Sequence, residues 1–219
     1  MIEGVEVTID REAVVVAARE PLTILSSAFV RGGFTTARAI VNLHVRKNIP
    51  EPETDGILPR FTERRSIQGP WVGLLTSAWT EKATFAEVSA SGLTALAVTT
   101  VGLSNRIAAG QTPVAEGAPS PSTINTIVVV DGAPEAAALV NAVMTVTEVK
   151  TSVLASVDLR CEDGLLASGT STDAVVIAAT GRGPHCRFGG PISDLGWVVA
   201  RAAREALDTG VRRWLEEHR

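Results

Sequence analysis

The chain has 219 residues, of which 45% are hydrophobic and 20% are charged, and its formal net charge at pH 7 is −4. This balance is typical of a globular protein and predicts a single domain over residues 1–219. The sequence lacks a long block of Lys and Arg, which argues against nucleic acid as a partner. No apolar run approaches the roughly 18 residues of a membrane span, and the acidic start is unlike a signal peptide. We therefore expect no membrane partner.

The cysteine and histidine content bounds the compartment and the cofactors. The chain contains 2 Cys and 3 His. Two cysteines in a chain of this length do not make a disulfide framework, which favours the cytoplasm. The histidines lack metal-ligand spacing, and the sequence contains neither a P-loop nor a G-x-G-x-x-G segment. We expect a cytoplasmic protein that needs no metal and no nucleotide cofactor.

The first half of the sequence predicts mostly strands. Short runs rich in β-branched residues are separated by turn-forming residues, and they are VEVTID, AVVVAAR, LTILSSA, RAIVNLHV, WVGLLTSA and FAEVSASGLTALAVTTVGL. Two intervening segments, 48–69 and 111–122, contain several prolines. They are predicted to be surface loops, and by their length they are candidates for a lid over a site.

The second half adds two buried strands and two helices. The continuous apolar runs TINTIVVVDG and DAVVIAA predict strands that are covered on both faces. A helix is predicted to start at Pro134 and to run to Val157. Another is capped by Ser193 or Asp194 and continues to about Glu217, with Gly210 as a point where it bends or breaks. The order of elements predicts an α+β fold, a mixed, largely antiparallel β-sheet system with two long C-terminal helices packed against it.

A lysine lies on the apolar face of the first of these helices. At about 100° per residue, Lys150 projects from the middle of that face, and the opposite side carries a narrow polar stripe of Asn141, Thr145, Glu148 and Ser152. A buried lysine is costly unless it is paired or contacts water, and burial lowers the pKa of an amine. Lys150 is therefore a site candidate. The alternative is that its side chain extends along the helix to water.

Polar residues also lie within or after predicted strands. Asn42 and His44 share one face of the RAIVNLHV strand. They either point together into a site or belong to an exposed sheet face. Ser104 and Asn105 follow another strand, in a turn whose backbone N–H groups are candidates for binding an oxyanion. An ordinary Asx-turn is the alternative.

Hydroxyl and amide residues open both buried strands. Thr123 and Asn125 open the first, and Thr172 and Asp173 open the second, in Gly/Ser/Thr-containing segments that allow a ligand to approach the backbone closely. Similar segments occur at self-processing sites, where an internal hydroxyl residue becomes an N-terminal nucleophile. Cleavage before Thr123, Thr170 or Thr172 is one interpretation, and ordinary turn chemistry is the other.

Seven segments identify a family when they are taken in chain order. They are LSSAFVRGGFTTARAIVNLHV at 25–45, VGLLTSA at 72–78, VTTVGLSNRIAAG at 98–110, STINTIVVVDG at 122–132, ALVNAVMTVTEVKTSVL at 138–154, GTSTDAVVIAA at 169–179 and GGPISDLGWVVARAA at 189–203. This ordered set resembles the adenosylcobinamide amidohydrolases of cobamide salvage over most of the chain from about Leu25 on. Small departures from the family pattern occur at Ser122, Ser171, Arg106-Ile107 and Val149, and they bear on substrate fit more than on membership.

The resemblance implies hydrolysis of one amide bond. That bond joins aminopropanol to a propionyl group of the corrin ring in adenosylcobinamide, and its cleavage gives adenosylcobyric acid for cobalamin (vitamin B12) salvage. The implied partner is a small-molecule corrinoid, with cobalt entering only as part of the substrate, and a homo-oligomer is compatible with the pattern. The alternatives are a non-catalytic corrinoid-binding protein and a self-processed N-terminal-nucleophile hydrolase of another amide.

The roles of individual residues in such a reaction are hypotheses. We assign Lys150 to oxyanion stabilisation or protonation of the leaving amine, and His44 or Asp173 to activation of water. Glu148 is a weaker candidate because it faces away from Lys150. Orientation of substrate or water is assigned to six polar residues, which are Asn42, Ser104, Asn105, Thr123, Asn125 and Thr172. The tryptophans Trp71, Trp79 and Trp197 are candidates for the wall of a corrinoid cleft, with core packing as the alternative.

Overall fold

The computed structural model describes residues 1–47, 51–114 and 123–218, with 51–55 described by their backbone. The strands in these ranges are β1 Val5–Ile9, β2 Ala13–Ser26, β3 Gly33–His44, β4 Trp71–Thr76, β5 Thr84–Ala90, β6 Leu93–Val101, β7 Arg106–Ile107, β8 Ile124–Asp131, β9 Ala133–Pro134, β10 Gly169–Thr170, β11 Ala174–Ala179 and β12 His185–Cys186. The helices are α1 Glu51–Arg64, α2 Ala136–Ser156 and α3 Asp194–Glu217.

Eight of the strands form one mixed sheet. Its order is β4-β3-β2-β11-β8-β6-β5, and β1 also pairs with β2. The first half of β2 binds β1 and its second half binds β11, while a β-bulge lies between Ala17 and Leu22 in its pairing with β3. Strands β3 and β4, and strands β8 and β11, pair in parallel, and the remaining pairs of this sheet are antiparallel. The predicted mixed, largely antiparallel sheet is confirmed.

The two halves of this sheet face each other across a shared core. Side chains from β2, β3 and β4 pack in one buried cluster with side chains from β6, β8 and β11, among them Ile24, Ile40, Leu74, Leu96, Ile127 and Val176. Helix α1 covers the outer side of β3 and β4 through Leu58 and Phe61. Helices α2 and α3 cover the outer side of β6, β8 and β11, as the sequence predicts for the C-terminal helices. The result is four layers, helix, sheet, sheet and helix.

The apolar run of β8 follows from its place between two layers. Ile127 and Val129 face the core between the sheet halves, whereas Val128 and Val130 face α2 and α3. Because successive side chains of a strand point to opposite faces, a strand covered on both faces needs apolar residues at every position. The predictions of buried strands at TINTIVVVDG and DAVVIAA are confirmed.

The prediction of a loop over 48–69 is wrong for most of that segment. Residues 48–50 lie outside the described residues, and Glu51–Arg64 form α1 despite a proline within the helix. Leu58 and Phe61 are buried against Val41 and Leu43. The helix also lies close to β4, as shown by the distance of only 2.7 Å between Leu58 Cδ1 and a Cβ added to Gly73. Tertiary packing outweighs the weak helix propensity of this Pro-containing sequence.

Helix α2 starts later than predicted and is more buried on its polar side. Pro134 lies in β9, and Glu135 occupies the N-cap position. Thr145, predicted to lie on the polar stripe, is buried, and its hydroxyl donates a hydrogen bond to the Gly189 carbonyl at 3.3 Å. By length and composition alone α2 could cross a membrane. In this fold it packs against α3 and the sheet, so we interpret it as a core helix.

Helix α3 is continuous through Gly210, where a bend or break was predicted. Ser193 caps its start by accepting a hydrogen bond from the Gly196 N–H at 3.1 Å. At Gly210 the helix lies so close to the sheet that an added Cβ would be 2.8 Å from Val101 Cγ2 and 3.0 Å from Thr84 Oγ1. The glycine therefore permits close packing and does not end the helix.

This packing reverses the usual effect of replacing a helical glycine. On propensity alone, Gly210→Ala would stabilise a helix by about 1 kcal/mol. We expect it instead to lower the free energy of unfolding by about 1–2 kcal/mol, because overpacking a filled interface costs about 1–3 kcal/mol. Urea denaturation measures the change. Thr209→Ala, at the exposed neighbouring position, is the matched control and should be neutral or stabilising, and a stabilised Gly210→Ala protein would contradict the packing argument.

Candidate active site

The core between the two sheet halves becomes polar at one end. Asn42 on β3 and Asn125 on β8 are each only 1% exposed. The Asn42 amide donates to Thr100 Oγ1 at 2.9 Å, and the Asn125 amide donates to Asn42 Oδ1 at 2.8 Å and to the Leu75 carbonyl at 3.0 Å. Strands from both halves thus meet through side-chain hydrogen bonds. The alternative of an exposed sheet face is wrong for Asn42.

The beginnings of β8 and β11 adjoin this polar end. Because the two strands are parallel, the residues that precede them lie side by side. Thr123 donates from its hydroxyl to the Thr172 carbonyl at 2.7 Å and lies 3.2 Å from Asn125 Oδ1. The Ile124 N–H donates to Asp173 Oδ1 at 3.0 Å. One hydrogen-bonded network therefore runs from the asparagine pair to Asp173.

Lys150 reaches this network from α2. Its ammonium group forms an ion pair with Asp173 Oδ2, and the two side chains are 12% and 10% exposed. Asp173 also accepts hydrogen bonds from the backbone N–H of Thr170 at 3.0 Å and from the Thr170 hydroxyl. The carboxylate thus has four donors, so Lys150 is held by a buried partner and does not extend freely to water. This arrangement suits Asp173 to holding the lysine more than to accepting a proton from water.

The lack of a side chain at Gly169 makes room for the ion pair. A Cβ added to Gly169 would overlap Asp173 Oδ2 and would lie 2.6 Å from Lys150 Nζ. Any larger residue must therefore displace one of the two charged groups. In this structure the glycine serves close packing of side chains against its backbone.

His44 lies two residues beyond Asn42 on the same strand and is half-buried. Its Nδ1 is 3.0 Å from the Ala78 carbonyl, and its ring stacks on Trp79 with a centroid distance of 4.7 Å and an interplanar angle of 17°. A carbonyl oxygen can only accept, so Nδ1 carries the proton in this contact. In the neutral ring Nε2 then has the lone pair. His44 is thus oriented as a proton acceptor.

The remaining predicted residues lie either beside the hydrogen-bonded network, which together with Lys150 forms the polar cluster, or on the surface. Asn105 donates to Ser171 Oγ at 2.6 Å, which places its turn beside the start of β11, and Ser104 Oγ accepts from Lys47 Nζ at 3.3 Å. The Thr172 hydroxyl is buried without a hydrogen-bond partner among the described residues. Since buried hydroxyl groups are normally paired, this one is a candidate for contact with a substrate. Glu148 is exposed on α2 and is not part of the network.

Two residues of the network were absent from the predicted site. Thr100 and Thr170 bind Asn42 and Asp173 directly. The inward alternation of β6 was a usable signal for Thr100, whereas nothing in the sequence distinguished Thr170 from its neighbouring hydroxyl residues.

The first lid candidate, segment 48–69, contains α1, which packs on the outer side of the sheet. In segment 111–122, residues 115–122 lie outside the described residues.

The thiols and possible metal ligands do not contribute to the cluster. Cys161 and Cys186 are free and buried, and burial raises the pKa of both thiols, which disfavours the nucleophilic thiolate. In the described part of the chain, no group of three or more His, Cys, Asp and Glu side chains could hold a metal ion. The chemistry available in the cluster is that of an amine, a carboxylate, hydroxyls and amides, with an imidazole nearby.

A comparison with family models assigns the chain. The model described as CbiZ, adenosylcobinamide amidohydrolase, matches residues 1–219. The chain belongs to the adenosylcobinamide amidohydrolase family. This confirms the resemblance that the ordered sequence segments indicate, and the protein is an amidohydrolase. A search of curated proteins finds no match.

Three solved structures are similar to this chain at low sequence identity. The PH0078 protein from Pyrococcus horikoshii OT3 is 13% identical with a TM-score of 0.49, over 95% of this chain and 83% of that one. A Burkholderia sp. beta-aminopeptidase is 14% identical with a TM-score of 0.46, over 93% and 79%. The L-aminopeptidase D-Ala-esterase/amidase from Ochrobactrum anthropi is 12% identical with a TM-score of 0.40, over 95% and 83%.

The role of Gly169 in this amidohydrolase can be tested by adding one methyl group. We expect Gly169→Ala to lower the free energy of unfolding by about 1–3 kcal/mol, because the new Cβ overlaps the buried ion pair. Thermal unfolding measures the loss. Gly190→Ala is the matched control, since nothing lies within 4 Å of its added Cβ. Equal stability of the two variants would show that the ion pair does not need this glycine.

Proposed function

We propose that this amidohydrolase cleaves the amide between aminopropanol and the corrin propionyl group of adenosylcobinamide, giving adenosylcobyric acid and aminopropanol. The observation that carries the proposal is the buried Lys150–Asp173 pair, joined by hydrogen bonds to the strand ends where hydroxyl and amide side chains converge. Family membership supplies the substrate class. Amide hydrolysis requires a positioned cation or donor for the oxyanion and a group that transfers protons, and these residue types are present together.

In the proposed reaction water is the nucleophile. Nε2 of His44 takes a proton from water as the new C–O bond forms at the amide carbon. The ammonium group of Lys150 stabilises the negative oxygen of the tetrahedral intermediate. When the C–N bond breaks, the protonated imidazole or Lys150 gives a proton to the leaving amine. Asp173 holds the Lys150 side chain directed toward the strand ends.

The polar residues around this pair are proposed to orient the substrate. A corrinoid is broad and largely apolar, with amide side chains around its edge, so its recognition needs separate donors and acceptors. Asn42, Asn125 and Thr123 lie in the network, and Asn105 and Thr172 lie beside it. Ser104 is assigned to the same role at the rim. The reaction as proposed needs no resident cofactor and takes place in the cytoplasm, with cobalt present only in the substrate.

One observation favours a second candidate, self-processing before Thr123. The Thr123 hydroxyl lies inside the same network at the first residues of a buried strand. An N-terminal-nucleophile hydrolase would use it after cleavage of the chain. A denaturing gel of the purified protein distinguishes the two, since a single full-length band excludes cleavage and two fragments support it. A corrinoid-binding protein without catalysis would bind adenosylcobinamide and form no product.

The role of Lys150 predicts a loss of turnover that is separable from a loss of folding. We expect Lys150→Met to lower kcat by about 100- to 1,000-fold, the usual effect of removing an oxyanion donor. Because a single unpaired buried charge also destabilises the fold, Lys150→Met combined with Asp173→Asn should restore stability without restoring turnover. Formation of adenosylcobyric acid is followed by chromatography and mass spectrometry.

Thr147→Ala, an exposed change on the same helix, is the control for this series and should retain activity. Glu148→Gln should also retain activity, because Glu148 is exposed and outside the network. A folded Lys150→Met protein with normal turnover would remove the lysine from the mechanism. Absence of product with the unmodified enzyme, together with tight corrinoid binding, would support the binding-protein alternative.

The role of His44 predicts a loss of turnover in a folded variant. His44→Gln keeps a donor for the Ala78 carbonyl but removes the basic nitrogen. We expect kcat to fall by about 100-fold or more. Circular dichroism and thermal unfolding control for folding. A folded variant with unchanged kcat would assign the base to another group.

A further inference from the structure

A groove with two tryptophan side chains lies beside the polar cluster. It is bounded by residues 77–82, by the segment after β6 and by the last turns of α3, and its cavity volume is about 100 Å³. Trp79 and Trp214 line it together with Lys47, Lys82 and Arg213. Ser104, which is assigned to orienting the substrate, also lines the groove, whereas the two tryptophans and the three cations have no role in the proposed hydrolytic step.

The groove and the polar cluster share structural elements. Val101 lines the groove from the α3 face of β6, whereas Thr100, whose hydroxyl accepts from Asn42, points to the opposite face of that strand. On the other side, the ring of His44 stacks on Trp79. A ligand against Trp79 therefore lies one ring away from His44, the proposed base. We infer that the groove receives another part of the same substrate.

The size of the groove limits which part this is. Sites that enclose a drug-sized ligand measure about 300–1,000 Å³, and a corrinoid is larger than such a ligand. A cavity of about 100 Å³ holds only a small appended group. Aminopropanol and the amide side chains of the ring are small enough, but they are flexible or aliphatic and gain little from aromatic walls.

The aromatic walls indicate a planar ring. Trp79 is 57% exposed, although large aromatic side chains are usually well buried, and its orientation is fixed by stacking on His44. Trp214 stacks on His218 with a centroid distance of 3.9 Å and an interplanar angle of 8°. Indole rings held in this way present rigid surfaces on which a nucleobase can stack.

Three cations and one carboxylate, that of Glu217, line the edge of the groove. Lys82 pairs with Glu217 at 2.6 Å, Arg213 donates to the Lys82 carbonyl at 3.0 Å and Lys47 donates to Ser104 Oγ at 3.3 Å. Arginine has five N–H donors and lysine has three, so these contacts leave donors for a ligand. Acceptors on the ligand, such as the ring nitrogens of a purine and the oxygens of a ribose, complement them.

We propose that this groove binds the adenine ring of the 5′-deoxyadenosyl group of adenosylcobinamide against Trp214 and Trp79, with the ribose at its mouth. The proposal rests on the proposed function. It adds that the enzyme recognises the adenosyl group, which other corrinoids lack. Among the parts of that molecule small enough for the groove, the adenine is the planar aromatic one. Arg213 and Lys47 donate to its ring nitrogens or to the ribose oxygens.

The experiment compares two substrates that contain the same scissile amide. The kcat/KM for adenosylcobinamide and for dicyanocobinamide is measured with the full-length protein and with Trp214→Leu and Arg213→Ala. We expect the unmodified enzyme to prefer the adenosyl form. Trp214→Leu should reduce that preference by about ten- to a hundredfold, the usual effect of losing a base-stacking residue, with the rate on dicyanocobinamide unchanged. Arg213→Ala, an exposed change, should reduce it without affecting the fold.

Trp197→Leu is the matched control. Trp197 is also about half exposed, at 49%, and lies near the other end of α3, roughly 25 Å from Trp214 at 1.5 Å per residue. It should keep the full preference for the adenosyl form. Equal hydrolysis of both corrinoids by the unmodified enzyme, or an unchanged preference in folded Trp214→Leu and Arg213→Ala proteins, would overturn the proposal.

A second measurement separates this proposal from the proposed function. If neither corrinoid is hydrolysed, the proposed function fails, and the groove is tested with 5′-deoxyadenosine alone by isothermal titration calorimetry. Binding that is weakened in Trp214→Leu and retained in Trp197→Leu would still support an adenosyl site. No binding, or equal binding by the two variants, would overturn it.

Discussion

The buried ion pair between Lys150 and Asp173 is the constraint around which the site is arranged. Removing an ammonium group and a carboxylate from water costs several kcal/mol per ion, and their attraction compensates only when the other acceptor positions are also filled. The N–H groups of Ile124 and Thr170 and the Thr170 hydroxyl fill those positions. The start of β8, the start of β11 and the middle of α2 are therefore held together by one electrostatic requirement.

The energetic cost of this arrangement argues that it serves a function. Replacing a buried ion pair by apolar residues of similar volume is often neutral, or stabilising by about 1–4 kcal/mol. The same reasoning applies to Asn42 and Asn125, which occupy inward positions that are apolar elsewhere in the same strands. Polar groups at one end of an otherwise apolar core add little stability for their burial. Proteins tolerate such departures from optimal packing mainly at sites that bind or react.

The sequence allowed prediction of the parts that depend on local pattern. The apolar runs of β8 and β11, the long C-terminal helices and the unusual position of Lys150 all follow from periodicity. Helix α1 was missed because its stability comes from Leu58 and Phe61 packing on the sheet and not from its own propensity. The pairing of Lys150 with Asp173, like that of Asn42 with Asn125, joins residues far apart in the chain. One sequence without a structure gives no measure of such distances.

The hydrogen bonds of Asp173 and His44 suit these residues to different proposed roles. Asp173 positions the lysine, and His44 accepts the proton. The carboxylate accepts from four groups, so taking a proton would weaken contacts that hold the lysine and both strand ends. The imidazole is held through Nδ1 and by stacking on Trp79, so a proton on Nε2 leaves its contact with the Ala78 carbonyl in place. A corrinoid ring is too broad for the groove beside His44, so in this proposal the ring lies across the end of the sheet layers. Only the amide arm and the adenosyl group enter, which explains how a site built from strand ends and one small groove acts on so large a substrate.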